Sequence, residues 1–225
     1  MEYRLLGSTG VKVSQLCMGT MTFGKEADRA ASAAMFKRCR DAGINFFDTA
    51  SNYAAGESER ILGELMFGCR RELIVATKVY NKTGPDINDR GSSRRHIMAT
   101  VERSLRQLRT DYIDLFFLHQ YDREADLEDS LRALDDLVRQ GKILYPAASN
   151  FAAWQTAKAL AISRQAGWSP LRCIEPMYNL VKRQPEAEIF PMAREEKLGV
   201  IVYGPLAGGL LTGRYIGQGY TSGRF

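Results

Sequence analysis

The sequence predicts an α/β fold, a parallel (β/α)8 barrel of the TIM type with an N-terminal hairpin, and three patterns carry the prediction. Short apolar runs rich in β-branched and aromatic residues alternate with longer amphipathic stretches, as repeated βα units require. Comparable points recur at Gly19, Asp48, Lys78, His119, Ser149, Tyr178 and Tyr203, a steady period that favours a closed barrel. An open doubly wound sheet would place G-x-G-x-x-G at its first strand-to-helix turn, and no such fingerprint occurs.

Taken in order, Tyr3 to Val13 holds two short apolar segments around Gly7-Ser8-Thr9-Gly10, which reads as a hairpin. Seven strand candidates follow: Gln15 to Gly19, Asn45 to Asp48, Leu73 to Lys78, Tyr112 to His119, Ile143 to Ser149, Cys173 to Tyr178, and Val200 to Tyr203. Between them, Ser93 to Leu108 turns Ile97, Val101, Leu105 and Leu108 to one side. Ala125 to Gln140 does the same with Leu127, Leu131, Leu134 and Val138. Gly141 ends the latter helix. Pro146 sits inside the fifth strand, where it withholds a ladder donor. Residues 1–225 read as one barrel domain. The chain stops at Phe225, one strand and its helices short of an eight-unit barrel of about 250 residues, so a C-terminal portion is expected to be missing.

Composition narrows the function classes. The 225 residues are 45% hydrophobic and 25% charged, the balance of a globular domain rather than a disordered chain. Net charge is +5, yet acidic and basic residues share the same helices, so no basic face for nucleic acid emerges. Cys17, Cys39, Cys69 and Cys173 form no C-x-x-C pair and only His96 and His119 could join them, so no metal site is expected. No apolar run approaches the roughly 20 residues of a membrane span, and the N-terminus has no signal-peptide core. A reducing cytoplasm is the expected compartment.

In such a barrel the C-terminal strand ends form the active face. Asp48, Lys78, His119, Ser149 with Asn150, and Tyr203 each end an apolar run, and Tyr53 follows Asp48 by five positions. Singly, each has a dull explanation as a turn, cap or core residue. Together they suit carbonyl reduction, in which hydride addition makes an alkoxide that must be protonated as it forms. Tyr53 would donate the proton, Lys78 would stabilise the phenolate, Asp48 would hold the ammonium, and neutral His119 would orient the substrate oxygen. Ser149 and Asn150 suit a planar amide, and Tyr203 a flat ring. The segment Pro205 to Gly209 would leave backbone N–H groups free for a pyrophosphate, or be a plain turn.

These stretches resemble the aldo-keto reductase superfamily across essentially the whole chain. The resemblance rests on Asn45-Phe46-Phe47-Asp48-Thr49-Ala50-Ser51-Asn52-Tyr53, Ala76-Thr77-Lys78, Asp111-Tyr112-Ile113-Asp114-Leu115 leading to Leu118-His119, Ala148-Ser149-Asn150-Phe151, and Met177-Tyr178-Asn179-Leu180. It implies an NADPH-dependent oxidoreductase whose catalytic residues are Asp48, Tyr53, Lys78 and His119, with Tyr53 as general acid. It further implies that Ser149, Asn150 and the residue at 175 hold the nicotinamide carboxamide, that Tyr203 stacks on its ring, and that Leu206 and Gly208 meet the phosphates. Two side chains depart from the family pattern. Glu175 replaces a glutamine and has lost the amide's donors, and Gly204 replaces a serine.

The expected partner is a small carbonyl substrate, with Tyr80, Tyr121 and Trp154 as candidate pocket walls and a homo-oligomer left open. Two other functions compete: an NADPH-binding, redox-sensing regulatory subunit with slow turnover, and an aldolase using Lys78 as a Schiff-base amine.

Overall fold

A computed structural model describes residues 1–216; residues 217–225, where the predicted domain ends, lie outside the described part. Strands β1 (Tyr3–Leu5) and β2 (Lys12–Ser14) pair antiparallel, as the glycine-flanked turn implies. Gly7 adopts a φ of 53° and is pressed on the chain ahead of it, where a Cβ would stand 2.4 Å from the Gly199 nitrogen. No larger residue fits there.

Seven parallel strands then run in sequence order: β3 (Met18–Gly19), β4 (Phe46–Asp48), β5 (Ile74–Val79), β6 (Ile113–Leu118), β7 (Ile143–Ser149), β8 (Cys173–Glu175) and β9 (Gly199–Val200). Each is bonded to the next and the order never reverses, so the sheet curls as a half-barrel rather than winding in two directions. The first strand is shorter than predicted because Gln15 stays with the hairpin, its N–H bonded to the Glu2 carbonyl. The sixth predicted strand stops at Glu175 because Pro176 has no N–H to continue the ladder. Tyr203 is held by an isolated bridge to Met177 instead of by β9. Pro146 does not interrupt β7, and its carbonyl accepts from Arg172 N–H at 2.8 Å.

Among the described residues six helices cover the outside: α1 (Arg29–Asp41), α2 (Glu57–Leu65), α3 (Arg94–Leu108), α4 (Leu127–Arg139), α5 (Ala153–Ala166) and α6 (Ile189–Glu195). Ser93 caps α3 through His96 N–H and Asp126 caps α4 through Glu128 N–H, which sets both starts. The apolar stripes expected from the spacing are buried except for Leu105 and Val138, which are half-buried, and Leu137 joins the α4 stripe. At the contact between α2 and α3, Gly63 meets the main chain of Gln107 and Leu108 directly. A Cβ there would lie 2.5 Å from the Gln107 carbonyl oxygen.

The strands alternate between two cores, since successive side chains point to opposite faces. Phe47, Val75, Phe116, Ala148 and Ile174 pack outward against the helices. Phe46, Ala76, Leu115, Phe117, Ala147 and Cys173 pack inward, joined from below by Leu6 and Val13 of the hairpin.

Candidate active site

The same alternation builds the site. Two residues beyond the inward Phe46, Ala76, Phe117, Ala147 and Cys173 stand Asp48, Lys78, His119, Ser149 and Glu175, so five strands deliver polar groups to one end of the inner face. A cavity of about 620 Å³ opens there, lined among others by Asp48, Tyr53, Asn81, His119, Asn150 and Tyr203.

Lys78 lies beneath the cavity at 1% exposure. Its ammonium donates to both Asp48 carboxylate oxygens and, at 2.9 Å, to the Thr49 carbonyl. Glu175 approaches the same nitrogen at 3.4 Å. Burial works to lower the Lys78 pKa, but the charges of Asp48 and Glu175 win and raise it above its ordinary value. The group is therefore a fixed cation. Burial raises the Asp48 pKa, against the pull of Lys78. Glu175 is pushed up to about 8, by burial first and by Asp48 second. One ammonium cannot neutralise two carboxylates, so near neutral pH Glu175 keeps its proton.

Tyr53 stands at the lip, where a 3₁₀ turn of Tyr53–Gly56 joins β4 to α2. Ala54 and Ala55 hold φ of 47° and 54°, consecutive left-handed residues that each cost roughly 1 kcal/mol or more. That strain is concentrated directly after the phenol. The Lys78 nitrogen lies 5.5 Å from the centre of the Tyr53 ring, and it acts on the hydroxyl both as a charge and as a hydrogen-bonding neighbour. The sequence argument expects this cation to favour the phenolate. Burial outweighs it, and Asp48 and Glu175 cancel part of its charge, so the Tyr53 pKa is pushed up to about 12. The phenol holds its proton until a stronger base forms beside it.

His119 meets the Tyr53 ring nearly edge-on, with centroids 6.1 Å apart. Burial and then the Lys78 charge push its pKa down to about 3, so the imidazole is neutral. The Asn81 amide nitrogen lies 3.1 Å from His119 Nδ1.

On the opposite wall, Asn150 donates to the His119 carbonyl at 2.9 Å and to Ser149 Oγ at 3.0 Å, while its amide oxygen accepts from Tyr203 Oη at 2.7 Å. Ser149 Oγ donates to the Glu175 carbonyl at 2.9 Å. Ser149, Asn150 and Tyr203 thus hold one another. Glu175 Oε2, the oxygen 3.4 Å from the Lys78 nitrogen, makes no hydrogen bond and is buried in the wall beside them. Gly208 lines the cavity, whereas Leu206 is 54% exposed and lies outside that lining. In the turn that follows, Ala207 N–H and Gly209 N–H are bonded to the Gly204 and Leu206 carbonyls, so those two are not free for a phosphate.

Tyr80 and Tyr121 line a neighbouring cleft, and Trp154 is 61% exposed against Tyr121 rather than packed in the core. Sequence reasoning missed Asn81 altogether. Its position three residues beyond Lys78, in a loop opening on the active face, was the available signal.

Comparison with known proteins agrees with this geometry. A family model described as the aldo/keto reductase family matches residues 15–223. The uncharacterized oxidoreductase YrpG of Bacillus subtilis is 41% identical, with the alignment covering 95% of this chain and 69% of that protein. A probable voltage-gated potassium channel subunit beta of Oryza sativa subsp. japonica is 37% identical over 96% of this chain and 67% of its own. Norsolorinic acid reductase of Aspergillus flavus is 36% identical, over 92% of this chain and 58% of that enzyme.

Proposed function

Since the chain belongs to the aldo/keto reductase family, a family of oxidoreductases, we propose that it reduces a small aldehyde or ketone to the alcohol with NADPH, Tyr53 acting as general acid. The observation that carries this reading is the Tyr53 ring at the cavity lip, its centre 5.5 Å from a buried ammonium that Asp48 holds in place. NADPH, when bound, would supply the hydride to the carbonyl carbon. As charge grows on the carbonyl oxygen, Tyr53 Oη gives up its proton to it. The Lys78 ammonium stabilises the phenolate left behind, and Asp48 keeps that ammonium aligned. Neutral His119 steadies the same oxygen without taking the proton.

Glu175 and Asn150 would face the cofactor's carboxamide, and the Tyr203 ring its flat face. All three residues line the cavity, which supports that placement. Lys78 does not suit Schiff-base chemistry, because an amine nucleophile must be neutral and this one is locked as a cation. Among the described residues no helix is long and apolar enough to cross a membrane, and the four free cysteines suit a reducing cytoplasm.

Incubation with NADPH and a panel of aldehydes tests the reading. Wild type should consume NADPH, and Tyr53→Phe should lower kcat/KM by about 10²–10⁴-fold while still binding the cofactor. Equal rates for the two proteins would refute it. The likeness to potassium channel beta subunits favours a second reading, a slowly turning redox sensor. Tight NADPH binding with negligible turnover on every carbonyl tried would favour that one.

A further inference from the structure

We propose that Asn81 is a positioning residue that decides which nitrogen of His119 carries the proton, holding the imidazole as an Nε2–H donor. The consequence for the substrate oxygen rests on the reductase reading above; the control of the tautomer does not.

The placement of Asn81 follows from a break in β5. Beyond Lys78 and Val79 the backbone turns at Tyr80, whose φ of 148° is one that L-residues rarely adopt. The Tyr80 carbonyl is pinned there by Gly91 N–H at 2.7 Å. The chain then brings Asn81, half-buried, to line the same cavity as His119 and Tyr53. Its side-chain nitrogen meets His119 Nδ1 at 3.1 Å.

An amide nitrogen only donates, so the ring nitrogen facing it must accept. His119 is neutral, held so by burial and by the Lys78 charge, and a neutral imidazole carries one proton. With Nδ1 accepting, that proton sits on Nε2. The main chain around the ring is already fixed, since His119 N–H donates to the Val79 carbonyl and its own carbonyl accepts from Asn150. Those main-chain bonds leave the tautomer to be set by what faces the ring.

The two tautomers differ in what they offer a carbonyl substrate. An Nε2–H supplements the Tyr53 hydroxyl, so the reacting oxygen meets two donors. The other tautomer would present a lone pair to that oxygen and compete with it for the phenol proton. Asn81 thus separates the two roles: His119 orients, and Tyr53 alone delivers the proton.

The test is nitrogen-15 NMR of the full chain labelled at its two histidines, with His96→Gln used for assignment. The wild-type His119 should show an unprotonated Nδ1 and a protonated Nε2 at neutral pH. Asn81→Leu, similar in size and without the donor, should give a mixture of tautomers. Asn81→Asp should move the proton to Nδ1 and bring His119 titration up towards neutrality. In kinetics, kcat for an aldehyde should fall about tenfold to a hundredfold in Asn81→Leu, with NADPH affinity within twofold of wild type. If Asn81→Asp does not fold, Asn81→Leu carries the measurement. A protonated Nδ1 in the wild type, or an unchanged tautomer in Asn81→Leu, would overturn the proposal. A wild-type chain that turns over no carbonyl, with the tautomer responding as expected, would count against the reductase reading and leave the role of Asn81 standing.

Discussion

A cation stands at each end of β5, Lys78 buried and Arg70 half-buried, and the two are wired differently. At the C-terminal end, Lys78 bonds both oxygens of Asp48 and lies 3.4 Å from Glu175 Oε2, beside a cavity that Asp48 and Glu175 line. At the N-terminal end, Arg70 donates to Asp114 at 2.7 Å, to the Tyr112 carbonyl at 2.9 Å, to the Leu73 carbonyl at 3.0 Å and to Thr110 Oγ1 at 3.0 Å. Its guanidinium also lies 4.1 Å from the centre of the Tyr112 ring. Asp114 accepts a further bond from Val75 N–H. The Arg70 cluster balances its charges and spends its hydrogen bonds internally. The Lys78 cluster balances its charge only because a second carboxyl, Glu175, holds its proton near neutral pH, and it lies beside a cavity. A charge pair that is complete in itself braces the fold, whereas one that is incomplete is poised to act on something that enters.

The sharpest break in this contrast should come from Lys78→Met. Removing the ammonium strips the Tyr53 phenolate of its stabiliser, and kcat/KM in the NADPH assay should drop by about 10²-fold or more. A variant within fivefold of wild type would show that the two clusters do not differ in kind. Next in size, Arg70→Met strands the buried Asp114 carboxyl, and urea denaturation should show a loss of about 3–5 kcal/mol. The rate per folded molecule should stay at the wild-type value, so a fall in kcat alone would blur the division between bracing and acting.

The smallest effect sharpens the contrast through pH. The Glu175 carboxyl is raised from an ordinary 4.5 to about 8 in the folded chain, so the folded state keeps a proton that the unfolded state has released. Stability must therefore decline as pH rises between those values and level off above about 8. Glu175→Gln, which never ionises, should lose this slope. Its melting temperature should match wild type near pH 5 and exceed it by a few degrees at pH 8, as a thermal scan would read. A constant difference between the two proteins at every pH would mean that the excess carboxylate is not strained.

Much of the active face was legible in the sequence because a strand writes its inward positions at every second residue. Asp48, Lys78, His119 and Ser149 each end an apolar run, and the alternation carries them to one side. The exterior helices were legible for the same reason, at a different period. What stayed hidden depends on partners far along the chain. Asp114 lies within a recognisable stretch, yet its tie to Arg70 crosses 44 positions. Glu59 reads as an ordinary helix-surface residue, but it is fully buried and accepts from Thr77. Burial of that kind is set by how helices and strands close on each other, and no local pattern records it. The net rise of the Tyr53 pKa was missed similarly, since its largest cause is burial, with the charges of Asp48 and Glu175 adding to it.

The bare contact at Gly63 reaches further than packing. α2 begins where the strained turn of Tyr53 ends, and α2 rests on α3 with no side chain of Gly63 between them at that point, so the outer helix layer is tied directly to the loop that carries Tyr53. A side chain at Gly63 would push α2 off α3, and with it the segment that follows the Tyr53 turn.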